Sequence, residues 1–262
     1  MQNLRHKEIL DLARSTGRVE VEDLAQRFGV SLQTIRKDLA DLSDSGYLKR
    51  VHGGALPRQG VSNFAYEERR RMQSAAKAAI AQRCAEEIPN NSSLVLNLGT
   101  TTEAVARALL AHENLTVVTN NINVANILMA NDSCDIIVAG GNLRRSDGGL
   151  VGGLTADFMD QFKTDIAIIG TSALDQEGDL LDYDLAEIRV SRTIIRQSRR
   201  AFLVSDASKF TRSAPVRLAS LSQLDALFTD AALPDALAQK CARWETAVHV
   251  AEPVHDLPHT PE

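Results

Sequence analysis

Aromatic residues are scarce: Phe, Trp and Tyr make up 4% of the 262 positions, so any core must rest on Leu, Ile, Val and Ala. Cysteine is scarcer still. Cys84, Cys134 and Cys241 are scattered, odd in number and without metal-ligand spacing, which excludes a disulfide framework and a zinc module and fits a reducing compartment. No apolar run approaches the ~20 residues that span a bilayer. The opening MQNLRHKEIL is charged and amphipathic and lacks the apolar core of a secretory signal. A soluble, cytoplasmic protein is expected, with no metal and no cofactor. An excess of positive charge is also missing. The formal net charge of −5 taken alone argues against a nucleic-acid partner.

That charge is unevenly spread. Residues 1–58 carry ten Lys and Arg against eight Asp and Glu, a net of +2, which leaves −7 for the rest. Such asymmetry can mark a small DNA-reading module joined to an acidic body. The length suits one large domain or two unequal ones, and the 44% apolar content is ample for a packed α/β core.

Three helical patterns open the chain. The first covers about residues 2–15, with Ile9, Leu12 and Ala13 on one face and Gly17 ending it. In the second, EDLAQRFG, Leu24 and Phe28 stand four apart. The third, SLQTIRKDLADLSDSG, has Ser31 as N-cap, an apolar stripe at Leu32, Ile35, Leu39 and Leu42, and Gly46 as its end. YLKRVHGGAL then reads as a two-stranded wing. This is the form of a helix-turn-helix, with Gly29 in the turn. An inward stripe leaves Gln33, Thr34, Arg36 and Lys37 on or beside the outer face, where the first turns of the second helix enter a major groove. Gln can pair with adenine and Arg with guanine, while Ser31, Thr34 and Lys37 can hold phosphate; Lys49, Arg50 and His52 of the wing would grip the flanking backbone. The plainer alternative is a three-helix packing unit with a solvated basic face.

LPRQGVSNF, residues 56–64, reads as a linker. We expect a DNA-binding domain over 1–57, a linker and connecting helix over 58–88 (the helix itself from 65), an α/β sensor domain over 89–251 and a flexible tail over 252–262. The tract ERRRM, 68–72, reads as a solvated helix face. After Pro89 the pattern turns to strand, turn and helix repeatedly: LVLNL, LTVVT, CDIIVAG, TDIAIIG, AFLVSD, LDALFTD and AVHVA. Short Val/Ile/Leu strands alternating with helices predict a mainly parallel sheet covered on both faces.

Several of these strands end in small or polar clusters: Gly99, Thr100 and Thr101; Thr119, Asn120 and Asn121; Gly140 and Gly141; Gly170, Thr171 and Ser172; Asp206 with Lys209. In an open parallel sheet the carboxyl ends of the strands share one edge, and ligands bind there. Gly99 lets backbone approach an anion, helix-start amides offer donors, and Lys209 supplies a cation. Each residue also has a local alternative. Thr100 and Glu103 have capping-box spacing, Asn121 can cap the helix INVANILM, Gly140 and Gly141 can merely turn the chain, and Lys209 can pair with Asp206.

TIRKDL followed by GYLKRVHGGAL resembles the N-terminal signature of DeoR-type bacterial repressors, and NLGTTTEAVARALL, VVTNNINVANILM, IIVAGGNLRRSDGGLVG and VSDASKF fit the same family, from about residue 2 to 250. The resemblance implies a winged helix-turn-helix joined to a sensor domain related to the ribose-5-phosphate isomerase and CoA-transferase folds. It implies operator DNA as partner, a phosphorylated polyol or sugar as effector, glycerol 3-phosphate first among them, and a homo-oligomer. It also places Glu187 at an acidic position of the sensor site, although alone DLAEIRVSR reads as a helix surface with Glu187 near Arg189. One departure stands out: the family's strand before GTT usually ends in aspartate, and here it ends in Asn97. A sugar-phosphate isomerase remains the chemical alternative, with Asp184, Glu187 or Asp206 as base and Lys209 as electrostatic partner. The N-terminal module favours regulation.

Overall fold

The computed structural model describes residues 5–6, 8–10, 12–13, 18–44, 47–57, 66, 70 and 72–252. The chain forms two units, residues 1–64 and 65–262.

In the first unit, residues 5–6, 8–10 and 12–13 are helical. They are followed by β1 (Val19–Glu20), α1 (Val21–Phe28), α2 (Leu32–Asp44), β2 (Leu48–Val51) and β3 (Gly54–Pro57). α1 stops at Gly29, whose left-handed φ of 61° turns the chain into α2. The Ser31 hydroxyl accepts from the Thr34 amide at 3.1 Å, the N-cap its sequence predicts. β2 and β3 pair antiparallel as the wing, and β1 joins at β3. A Cβ on Gly54 would lie 2.0 Å from the Val19 carbonyl oxygen, so only glycine lets these strands close. Ile9, Leu10, Ala13, Leu24, Ile35, Leu39, Leu42 and Leu48 form the core, with Leu12 and Phe28 packed at its margin. Leu32 departs from the expected stripe. It is 42% exposed, because α2 meets the core only from its second turn, at Ile35. Gly17, Gly46 and the linker residues 58–64 lie outside the described residues.

Asp38, 1% exposed on α2, is the buried charge of this unit. Burial alone would raise its pKa, but Arg5 and His6, bonded to Oδ1 at 3.2 and 3.0 Å, outweigh it and hold the carboxyl below its usual range. Asp38→Ala should lower the unit's stability by about 1–3 kcal/mol. The loss should be full at neutral pH. It should vanish as pH falls below the unfolded carboxylate value of about 3.9 and through the lower folded value. Denaturant melts at pH 7 and pH 3 check this, and equal melting of variant and parent at pH 7 would contradict it.

In the second unit, the expected long helix from 65 to 88 is interrupted. Residues 66 and 70 are helical, but 72–73 form a turn with Gln73 at φ 53°, and the helix proper is α3 (Ser74–Ala85). A left-handed residue cannot sit inside a right-handed helix, so α3 starts afresh, with the buried Lys77 Nζ donating to the Met72 carbonyl at 2.6 Å. Of ERRRM, Arg70 is exposed, Met72 is in the turn, and the other residues lie outside the described set.

The remaining elements are β4 (Ser93–Leu96), α4 (Thr100–Ala108), β5 (Leu115–Thr119), α5 (Ile122–Leu128), β6 (Cys134–Val138), β7 (Asn142–Arg144), β8 (Gly149–Val151), α6 (Gly153–Met159), β9 (Thr164–Ile169), β10 (Ala173–Leu174), β11 (Asp179–Asp182), α7 (Leu185–Arg196), β12 (Ser198–Val204), β13 (Val216–Ser220), β14 (Ala226–Thr229), α8 (Asp235–Trp244) and β15 (Ala247–Val250). The seven strand patterns read from the sequence are the seven strands of one parallel sheet, ordered β15-β14-β12-β9-β4-β5-β6.

Successive strand residues alternate between two cores. Leu94, Leu96, Ile166 and Ile168 pack with α3, α4 and α5 on one face. Val95, Ala167 and Ile169 pack with α6, α7 and α8 on the other. Both faces are covered, so the strands read as unbroken apolar runs; each fully buried Leu or Ile contributes about 1.5–3 kcal/mol. The antiparallel β7-β8 ribbon and the β10-β11-β13 sheet are additions that the sequence reading did not anticipate.

The chain runs from β4 outward through β5 and β6, then returns to the other side of β4 with β9. The strand order therefore reverses between β4 and β9, the point at which an open parallel sheet opens a crevice beyond its carboxyl edge.

Candidate functional site

The crevice holds a small cavity lined by Tyr66, Leu98, Gly99, Thr100, Glu103, Asp147 and Glu187. Gly99 is the N-cap of α4, at φ 140°, and no side chain caps the helix. Thr100 is the first helical residue, so the capping box with Glu103 does not form. The loop is fixed instead by Thr102, whose hydroxyl donates to the carbonyls of Asn97 and Gly99 at 2.9 and 2.6 Å. The first amides of α4, at the positive end of its dipole, thus have no side-chain cap.

The cavity wall is built from carboxylates. Glu103, 1% exposed, accepts from Asn121 Nδ2, Asn123 Nδ2 and the Tyr66 hydroxyl, at 3.3, 3.2 and 2.6 Å. Arg144, at the end of β7, holds three more: Asp147 and Glu187 at 2.7 Å and Asp184 at 2.9 Å. Burial works against the Arg144 charge, but these partners more than offset it, and its pKa is raised. Burial and then the nearby Asp182 push Glu187 up to about 7, against the pull of Arg144. Asp182 is also raised, by burial, in spite of donors from Tyr183 and Ser172 and the charges of Arg144 and Lys209. Glu187 is thus no surface carboxylate beside Arg189, which pairs with Asp157 instead.

Of the residues expected at the site, the structure gathers Gly99, Thr100 and Glu187 around the cavity, with Asn121 one contact away through Glu103. Thr101 is buried in the first turn of α4. Asn121 also caps α5 by accepting from the Asn123 amide, the local role its sequence allowed. The others hold local structure. Thr119 donates to Leu96 O and accepts from the Asn121 amide. Asn120 exchanges bonds with Leu150 of the ribbon. Gly140 accepts from Thr155, and a Cβ on Gly141 would meet the Thr155 hydroxyl at 2.0 Å, which makes the pair a close turn. Gly170 follows β9 against the Leu98 carbonyl, Thr171 donates to Ala173 and Leu181, and Ser172 donates to Asp182. Asp206 caps the short turn Ala207–Thr211, which carries Lys209.

Asn97, where the family's usual residue is aspartate, is 2% exposed; its Nδ2 donates at 2.7 Å to the Ser191 hydroxyl, whose proton goes to the Glu187 carbonyl, and its Oδ1 is buried without a hydrogen-bond partner. Arg144, Asp147, Tyr66 and Asn123 escaped the sequence reading. The one signal in the sequence was NLRRSDGG, where Arg144 and Asp147 stand three apart between glycines, a spacing that alone marks no site. Among the described residues, no group of three or more His, Cys, Asp or Glu is placed to hold a metal ion, and no helix is long and apolar enough to cross a membrane.

In the first unit Gln33, Arg36 and Lys37 are exposed along one side of α2, and Lys49, Arg50 and His52 are exposed in the wing. Arg36, Arg50 and His52 share a concavity with Glu20 and Glu22. The hydroxyls of Ser31 and Thr34 lie 2.9 Å apart at the start of α2, which places them at the same end as Gln33.

The DeoR-like helix-turn-helix domain matches residues 5–58, and the DeoR C terminal sensor domain matches residues 72–231. The chain is 47% identical over 239 residues to the glycerol-3-phosphate regulon repressor of Escherichia coli (strain K12), covering 91% of this chain and 94% of that one. It is 48% identical over 228 residues to the repressor of the same name from Haemophilus influenzae, covering 87% and 89%. It is 38% identical over 254 residues to the HTH-type transcriptional repressor CsqR of Escherichia coli (strain K12), covering 97% of each. Solved structures it partly matches include ribose 5 phosphate isomerase A from Neisseria gonorrhoeae, at 14% identity over 52% of each chain and TM-score 0.38. Another is eIF2B delta from Chaetomium thermophilum, at 13% identity over 65% and 60% and TM-score 0.47. The chain belongs to the DeoR family of helix-turn-helix transcriptional regulators.

Proposed function

We propose that this protein is a transcriptional repressor whose operator affinity falls when a phosphorylated polyol, glycerol 3-phosphate first, binds at the start of α4, where the structure leaves a cavity of about 20 Å³ that widens to admit it. The observation that carries the reading is the chemistry of that cavity. It sets an uncapped helix start, suited to phosphate, against acceptor side chains of Glu103, Glu187 and Asp147, suited to hydroxyls. Glycerol 3-phosphate has both groups within a few bond lengths. The 47% identity to a glycerol-3-phosphate regulon repressor supports the same choice. The wing and α2 supply the operator contacts, from Gln33, Arg36 and Lys37 with Lys49, Arg50 and His52. Binding as a symmetric oligomer, in the cytoplasm, completes the proposal.

The site's carboxylates favour sensing over turnover. Asp184 caps α7 and holds Arg144, Asp206 caps its own turn, and Glu187 is locked to Arg144.

A thermal-shift screen of phosphorylated three- to six-carbon metabolites beside their unphosphorylated parents tests this reading. Glycerol 3-phosphate should stabilise by about 2.7 kcal/mol at a hundredfold excess over its dissociation constant, and glycerol should do nothing. A shift with both, or with neither, would remove the phosphate cradle from the account. Operator binding should also weaken steeply with salt, with a log–log slope near −0.9 per neutralised phosphate. A flat response in a salt titration would contradict the basic DNA-reading face.

A further inference from the structure

Six of the seven cavity residues come from strand ends, from helix starts or from the ribbon. Tyr66 does not. It lies two residues beyond Phe64, the last residue of the first unit, where the only covalent connection between the units enters the second. Its hydroxyl donates to Glu103 Oε2 at 2.6 Å, the length of a charge-assisted bond, while the other Glu103 oxygen is held by Asn121 and Asn123. Glu103 itself stands in the first turn of α4, beside the helix start. One buried carboxylate therefore joins three things: the helix whose amides face the cavity, the end of β5, and the chain arriving from the DNA-binding unit.

Resting on the reading of this cavity as the effector site, we propose that Tyr66 is the positioning residue that couples effector occupancy to DNA binding. The phenol bonds Glu103 in the operator-binding state. An effector hydroxyl donates to the same Oε2 and replaces it. Glu103 exchanges one O–H donor for another and keeps its hydrogen-bond count, so the swap leaves no buried acceptor unpaired. Tyr66 then loses this bond, two residues beyond the end of the first unit, while Glu103 keeps its own count. Asn121 and Asn123 keep the carboxylate aimed at the cavity during the exchange, which is why a fixed acceptor can serve two donors in turn.

A bond made in only one of two states biases both ligands, in opposite directions. Tyr66→Phe keeps the ring and deletes the bond. Operator affinity should fall and glycerol 3-phosphate affinity should rise, the two factors multiplying to on the order of tenfold, the worth of one hydrogen bond to a charged group. The experiment measures both on full-length parent and variant: calorimetric titration of glycerol 3-phosphate without DNA, and fluorescence anisotropy on an operator duplex without effector.

Opposite signs support the proposal, since packing damage would weaken both affinities and loss of a simple ligand contact would weaken only the effector's. Either of those patterns, or no change in an effector-responsive parent's variant, overturns it and leaves the cavity reading intact. A parent that does not bind glycerol 3-phosphate overturns the cavity reading and this proposal together.

Discussion

Arg144→Met should destabilise the sensor unit by about 3–5 kcal/mol at pH 8, the loss expected when one partner of a buried ion cluster is removed. One guanidinium separates Asp147 and Glu187, both largely shielded from water, and the more open Asp184. Methionine fills similar space but leaves three carboxylates facing one another, with Asp182 behind them. The deficit must then depend on pH. In the parent, Glu187 is raised to about 7 from its ordinary value. Its contribution to stability is therefore complete below about pH 4.3, the unfolded value, and is lost as pH rises through 7. Without Arg144 the repulsion grows, the folded state binds protons still more tightly, and acidification from pH 8 to 5.5 should recover much of the loss. Denaturant melts of parent, Arg144→Met and Glu187→Gln at the two pH values decide it. Glu187→Gln should flatten the parent's pH dependence over this window. Equal stability of Arg144→Met and parent at pH 8 would mean that the cluster is solvated and contributes little.

Arg36→Ala should weaken operator binding by about 1–3 kcal/mol, roughly 5- to 150-fold, and relax the sequence preference at one position of each half-site. The geometry favours Arg36 over its neighbours. It is exposed on α2 yet faces the concavity it shares with Arg50 and His52 of the wing, so its guanidinium is set between the helix and the strand hairpin. Binding measured on the operator and on single-base variants separates the outcomes. A loss confined to one position marks a guanine contact, and an equal loss on every duplex, random DNA included, would assign Arg36 to phosphate instead.

What the sequence made legible follows from physics that acts locally. The seven sheet strands could be read because both of their faces are buried, so each is a short run of Val, Ile and Leu between turn residues. The second helix of the DNA-reading unit could be read because Ser31 caps it and Ile35, Leu39 and Leu42 repeat at helical spacing. Leu32 continues that spacing but lies ahead of the core, which periodicity cannot show. β10, β11 and β13 form a separate antiparallel sheet, and AL, DLLD and VRLAS mix charged with apolar residues or are too short, so no unbroken apolar run marks them.

The cavity was half legible. Gly99 and Thr100 were marked by their place after an apolar strand. Arg144 comes from a three-residue strand in a polar ribbon, and its partners Asp184 and Glu187 come from a helix forty residues later. Only the topology brings them together. Tyr66 precedes the sheet altogether, and no local rule ties it to Glu103.

The most direct test of the central claim is an anisotropy titration of the full-length protein on a duplex it has itself selected from random DNA, repeated with saturating glycerol 3-phosphate and with saturating glycerol. The account predicts tight binding that glycerol 3-phosphate weakens about 5- to 150-fold and glycerol leaves unchanged. Operator binding that is indifferent to glycerol 3-phosphate would contradict it.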